Sequence, residues 1–126
     1  MGVLTSLAPG MRCFPFHNYH VNEEVFIVIE GCGEVRIGEN IYSIKSDDVI
    51  ACTAGGQNTV HQIINNSEHE LRYLALSTQI ATDAVEYPDS GKYSVMAEFG
   101  VDDKGNVQGF QSIARLNDSV DYWQGE

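Results

Sequence analysis

The feature that most constrains this chain is a series of about six short runs rich in β-branched and aromatic residues, spaced at roughly 8–12 positions. They are Val25–Ile29, Glu34–Ile37, Ile41–Lys45, Val49–Thr53, Thr59–Ile64 and Glu70–Ser77. Gly31-Cys32-Gly33, Gly38-Glu39-Asn40, Ser46-Asp47-Asp48, Ala54–Asn58 and Asn65–His69 separate them. Glycine, asparagine, aspartate and serine supply the backbone conformations and local hydrogen bonds of tight turns. Short strands with a turn between each pair predict an all-β sandwich or barrel. Val25–Ile29 is apolar on both faces, so that strand is expected to carry a covering layer on each side.

The flanks read less clearly. Residues 1–11 are expected to form an irregular arm ending in Pro9-Gly10. Arg12–Tyr19 reads as a further strand, with Pro15 tolerated at an edge or a bulge. Leu74–Val85 has room for one turn or a short helix. Lys92–Phe99 and Val107–Arg115 are expected to pair as a hairpin across the Gly/Asp-rich stretch between them. The tail carries the only Trp, Trp123, beside Tyr122, and such an aromatic pair is expected to dock rather than remain in water. The organisation expected is one domain over 1–126, with a barrel core at about 12–80 and a C-terminal extension at about 86–126.

Charge excludes several functions. Eighteen acidic residues against seven basic ones give a formal net charge of −11. No basic stripe is available for a phosphate backbone, so nucleic-acid binding is not expected. An anionic membrane surface is disfavoured for the same reason. A phosphorylated ligand would need a local basic pocket, for which Arg12, Arg36, Arg72 and Arg115 are the only arginines. Arg36 and Arg72 alternate with apolar neighbours and read as solvated, with a pocket role the minority reading. Cys13, Cys32 and Cys52 are odd in number and widely spaced, which argues against a disulfide frame or a structural zinc knot. Cys32 and Cys52 are expected to be small buried hydrophobes. No secretory leader pattern opens the sequence, and no apolar run approaches ~18 residues, so a cytoplasmic protein is expected.

Candidate chemistry gathers in His17–Gly31, HNYHVNEEVFIVIEG, together with the distant His61. Strand alternation puts His17 and Tyr19 on one face and turns His20 to the other. Glu24 is out of step with His17 and Tyr19, so the intervening residues must bend or bulge if all three converge. His61 lies between apolar residues and needs a partner wherever it is buried. Two imidazoles and a carboxylate meeting from different strands suit a divalent transition metal: Zn, Fe, Mn, Co or Ni. Three protein ligands with open positions make a catalytic arrangement. Tyr19 could be a fourth ligand, a proton donor or a plug in a ligand's place. On residue chemistry alone, His61 reads equally as a hydrogen-bonded core histidine, and Glu23 and Glu24 as a charged loop.

These residues resemble the two motifs of the cupin superfamily. In the first, His17-Asn18-Tyr19 is followed after four residues by Glu24 and after six more by Gly31. In the second, Asp47 stands where the pattern has glycine, Thr53-Ala54-Gly55 stands for Pro-X-Gly, and His61 and Asn65 close the motif. The Gly55–His61 interval is longer than the basic pattern. An extended Gly-Gly loop there is similar to a bacterial branch of small single-domain cupins. In that branch LRYLALST, EYPDSGK and DYW segments follow, here at Leu71–Thr78, Glu86–Lys92 and Asp121–Trp123. The resemblance implies a double-stranded β-helix, the jelly-roll barrel. It implies a metal held by His17, Glu24 and His61, with Tyr19 departing from the family's second motif-one histidine. Tyr19 and Glu24 are then the candidate catalytic groups. It further implies a small-molecule substrate, sugar or sugar phosphate in the phosphomannose-isomerase-like branch or the substrate of an oxygenase. A non-catalytic ligand-binding cupin is the alternative, with Tyr19, Phe26 and Ile63 lining its cavity. A homodimer is expected, its barrel covered in part by the N-terminal arm or the DYW segment.

Overall fold

The computed structural model describes residues 1–126. Eleven strands are present: β1 Gly2–Leu7, β2 Asn18–Tyr19, β3 Glu24–Glu30, β4 Cys32–Ile37, β5 Asn40–Lys45, β6 Val49–Cys52, β7 His61–Ile64, β8 Leu71–Ser77, β9 Asp83–Tyr87, β10 Lys92–Val101 and β11 Val107–Arg115. They form a four-stranded sheet β1-β8-β3-β6, a three-stranded sheet β5-β4-β7 and a four-stranded sheet β11-β10-β9-β2. All of the pairings are antiparallel. This is the all-β double-stranded β-helix that the motifs imply.

Cross-strand register sorts the residues of the first sheet. Residues directly opposite one another share a face. Ala75, Phe26 and Ile50 form one inward row, and Ser77, Glu24 and Cys52 the next. Phe26, Val28, Ile63, Leu71 and Tyr73 are buried in the core with Leu7, Val35, Ile44, Ile50 and Cys52. Each buried aliphatic or aromatic side chain contributes about 1.5–3 kcal/mol of transfer free energy. Glu24 therefore lies on a core-facing row, one step beyond the aromatic core.

Two backbone positions explain why the motifs carry the residues they do. Gly31 has φ +89°, and a Cβ there would lie 2.5 Å from the Glu70 carbonyl oxygen. Only glycine fits. Asp47, at the position where the motif has glycine, has φ +77° and is the one non-glycine residue with positive φ. Aspartate tolerates this region better than most residues. Asn65, fully buried, satisfies all four of its side-chain hydrogen-bonding positions. Its Nδ2 donates to the carbonyls of Leu7 and His69, and its Oδ1 accepts from the N–H and hydroxyl of Ser67.

The structure corrects several expectations. Residues 1–11 are not an irregular arm: β1 pairs with β8 from Gly2↔Leu76 to Leu7↔Leu71. Backbone pairing along an open sheet edge organises a segment whose side chains are mostly exposed. The strand expected over Arg12–Tyr19 shrinks to Asn18–Tyr19, preceded by single bridges at Arg12 and His17. Pro15 sits in the gap, where it has no N–H to donate. No helix forms within Leu74–Val85, because β8 runs to Ser77 and β9 begins at Asp83. The strand expected from Thr59 starts at His61, after a 3₁₀ turn at Gln57–Thr59. Cys32 is exposed, whereas Cys52 is buried as expected. The expected hairpin forms, from Lys92↔Arg115 to Val101↔Val107 with a bulge at Glu98/Gly100. Tyr122 and Trp123 pack edge to face on each other and are 87% and 76% exposed, so they do not cover this chain's own barrel. No helix is long and apolar enough to cross a membrane.

Candidate metal centre

His17 and His61 face each other across an antiparallel bridge. His17 N–H donates to the His61 carbonyl at 3.1 Å, and His61 N–H donates to the His17 carbonyl at 2.9 Å. This reciprocal pair puts both side chains on one face, with ring centroids 4.7 Å apart. Glu24 approaches from β3 in a different sheet. Its Oε2 lies 3.3 Å from His17 Nε2 and 2.6 Å from His61 Nε2. The donor atoms of the three residues all lie within 4.8 Å of one another. His17 and His61 are buried and Glu24 is half-buried.

Local structure fixes which nitrogen each imidazole presents. Nδ1 of His17 lies 2.7 Å from the Pro15 carbonyl, and Nδ1 of His61 lies 3.0 Å from the Thr59 carbonyl. A carbonyl only accepts, so each Nδ1 carries a proton and each Nε2 is the variable position. Anchoring Nδ1–H on a carbonyl is the usual outer partner of a metal-bound histidine. Without a metal, the short His61 Nε2–Glu24 Oε2 contact needs a proton between its two atoms. A divalent cation held there would take the place of that proton, with the two imidazoles and the carboxylate as its ligands. The donor set thus fits a divalent transition metal. Burial alone would raise the Glu24 carboxyl pKa, but the hydrogen bonds and charge of His17 and His61 outweigh it and hold the group down at about 2. Glu24 is an anion across the physiological range.

The bend that brings Glu24 into line depends on a residue the sequence did not single out. Asp83, buried at the start of β9, accepts from Val21 N–H at 2.9 Å, Asn22 N–H at 2.8 Å, Asn22 Nδ2 at 2.7 Å and Ala84 N–H at 2.7 Å. Asn22 Oδ1 in turn accepts from the Thr78 hydroxyl and from Ile80 N–H, both at 2.8 Å. Glu23 N–H donates to the Thr78 hydroxyl at 2.9 Å. Residues 20–23 are thereby fastened to 78–84, immediately before Glu24. The TDAVEY run gave one signal, a carboxylate just ahead of an alternating strand, but no spacing rule links it to the histidines.

Tyr19 lines the same cavity as His17 and Glu24, with its ring 5.2 Å from that of His17. Burial, and then the negative charge of Glu24, push its phenol up to about 12, so it is a neutral hydroxyl. His20 is directed away, its Nε2 lying 2.9 Å from Glu86 Oε2, and it is not part of the cluster. Asn18 Nδ2 donates to the same Glu86 oxygen, and this bond, followed by those from His20 and Gln57, lowers the Glu86 pKa. Phe26 lines the cavity, but Ile63 is enclosed in the core instead. Cys52, opposite Glu24, is held as a neutral thiol, its pKa pushed up to about 12 by burial and then by Glu24. Arg36 pairs with Asp89 and lies over the Phe16 ring beside a separate cavity, away from the triad.

A cupin domain family model matches residues 3–77, more than half of the chain. The chain belongs to the cupin family. No curated protein sequence matches it. Among solved structures, it resembles a candidate sugar phosphate isomerase from Acidithiobacillus ferrooxidans, with TM-score 0.78 and 21% identity over 94% of this chain and 69% of that one. It also resembles a sugar phosphate isomerase of the cupin superfamily from Silicibacter pomeroyi, with TM-score 0.76 and 22% identity over 94% and 68%. A third is an uncharacterised conserved protein with a double-stranded β-helix domain from Klebsiella pneumoniae, with TM-score 0.55 and 19% identity over 61% and 64%. Likeness at these identities concerns the fold.

Proposed function

We propose that this cupin is a metal-dependent enzyme acting on a small polar organic or sugar-type substrate at His17, Glu24 and His61. The observation that carries the reading is the pair of imidazoles anchored through Nδ1, both turning Nε2 to one Glu24 oxygen. A divalent metal there would polarise a substrate oxygen as a Lewis acid, or supply redox chemistry if it is iron. Tyr19 then stands on the cavity wall as a neutral hydroxyl able to donate a hydrogen bond or a proton to bound substrate. Glu24 supplies the anionic ligand and a proton acceptor. The test is hydrogen exchange at carbon next to a carbonyl, followed by proton NMR in D₂O on small hydroxy-aldehydes. Metal-loaded protein is expected to catalyse exchange, with Tyr19→Phe slowed by about 10²–10⁴-fold and Glu24→Gln losing exchange together with its metal. Exchange unchanged in both variants would overturn these assignments.

A non-catalytic binding role is the second reading, favoured by Tyr19 in place of the family's second histidine. It predicts ligand binding without turnover, and His61→Ala would then weaken packing by about 1–3 kcal/mol rather than remove a metal.

The functional unit of this proposal is a homodimer. The outward rows of the first sheet, Gly2-Leu76-Val25-Ala51 and Leu4-Leu74-Ile27-Val49, are apolar across all four strands. Leu4 and Val49 are 54% and 62% exposed in the single chain. Apolar patches of this extent mark covered surfaces. Light scattering behind size exclusion is expected to give twice the chain mass, and Val49→Asp to shift it towards one chain. A wild-type monomer would contradict the dimer. Exposed, unpaired Cys13 and Cys32 suit the reducing cytoplasm proposed as its location.

A further inference from the structure

Building on the metal-centre reading, we infer that the cavity takes a small hydroxy-carbonyl compound with an uncharged far end, and that it rejects phosphate esters. The cavity beside His17 and Glu24 has a volume of about 190 Å³. That is below the roughly 300–1,000 Å³ of sites for drug-sized ligands. Its wall holds the rings of Phe14, Tyr19, Tyr73 and Tyr87, with Thr5 and Cys13, and contains no lysine or arginine. A phosphate dianion removed from water needs cations or several charge-assisted donors. A compact ligand with two adjacent oxygens needs neither: the oxygens suit the positions that three protein ligands leave open, and hydroxyls and ring faces receive the rest. Tyr73 adds a buried hydroxyl with no hydrogen-bond partner.

The four arginines are engaged away from this cavity. Arg36 makes two bonds to Asp89, at 2.7 and 3.1 Å. Arg72 faces Glu30, Arg12 reaches Gln62, and Arg115 donates to the Ser90 carbonyl. Lys92 is the cation that comes near, its Nζ 5.4 Å from the ring centroid of Tyr87, but it is not itself in the wall. Loaded with a divalent ion, the triad carries one net positive charge, enough to favour oxygen donors at the metal. The far end meets only neutral groups, in a molecule of net charge −11. The two neighbours named for sugar phosphates share the fold at 21% and 22% identity, which carries no phosphate site to this chain.

The experiment loads the full chain with Co²⁺, fixes the cobalt content by elemental analysis, and titrates glyceraldehyde and glyceraldehyde 3-phosphate. The cobalt visible absorption and calorimetry provide the readouts. Glyceraldehyde is expected to perturb the cobalt bands saturably and to bind at least about tenfold more tightly than the ester, a difference of about 1.4 kcal/mol. Equal or tighter binding of the ester overturns the inference, as does binding of neither probe. If the ester binds and Lys92→Gln removes that binding, a cation at the mouth accepts the phosphate and the inference also fails. A chain that takes up no cobalt overturns the metal-centre reading instead. Calorimetry with the same two probes then decides the charge preference separately.

Discussion

His61 Nε2 stands 2.6 Å from Glu24 Oε2, while Nδ1 of the same ring lies 3.0 Å from the Thr59 carbonyl. The ring is held at both ends, and a proton must occupy the short gap to Glu24 whenever no metal does. A metal entering the triad displaces that proton. Uptake is therefore expected to release about one proton per ion, because ligands bind deprotonated. Calorimetry of zinc binding in buffers of different ionisation enthalpy checks this: the apparent enthalpy is expected to change with the buffer. An enthalpy independent of buffer would contradict the proton-bridged arrangement.

The same bridge makes a prediction in acid. Glu24 has its pKa lowered from an ordinary value of 4.5 to about 2. A folded-state value below the unfolded one means that the stabilisation is fully present above pH 4.5 and is lost as pH falls towards 2. Urea unfolding of metal-free protein is expected to show a steeper loss of stability across that window in wild type than in Glu24→Gln. Equal slopes would show that Glu24 is not held as an anion by the histidines.

Asp83 is a positioning residue for Glu24. Asp83→Ala leaves four N–H groups without their acceptor, at a cost of about 3 kcal/mol or more. Metal affinity is expected to fall by about 10–100-fold, as for the loss of an outer partner of a metal site. Binding measured well below the unfolding temperature separates the two effects. A variant that is destabilised but binds metal as tightly as wild type would limit Asp83 to a structural role.

Gly31 and Asp47 are expected to respond in opposite directions. Gly31→Ala meets both a positive φ and the Glu70 carbonyl, and is expected to destabilise by at least about 2 kcal/mol. Asp47→Gly relieves the strained backbone at φ +77° and is expected to be neutral or stabilising. Thermal unfolding of the two variants reads both signs, and a destabilising Asp47→Gly would show that its side chain is needed.

Much of this was legible in the sequence, for physical reasons that differ by element. The central strands were readable because alternation and turn chemistry are local: VFIVI buries Phe26 and Val28 inside and leaves Ile29 at the surface. The convergence of His17, Glu24 and His61 was expected only if the chain bent after Tyr19, and it does. What makes it bend was not legible, because Asp83 acts on Val21 and Asn22 across about 60 residues of sequence. The N-terminal strand was missed because its order comes from pairing with β8, not from an inward apolar stripe of its own. Tyr73 and Tyr87 were not recognised as cavity residues, since alternation marks a face but not where along the barrel it opens.

The most direct measurement is elemental analysis of protein purified without chelator or metal-affinity resin, beside His61→Ala and Glu24→Gln prepared identically. About one Zn, Fe, Mn, Co or Ni is expected per wild-type chain, and little in either variant. Wild-type protein that holds none, even after each ion is offered, would contradict a metal centre at His17, Glu24 and His61.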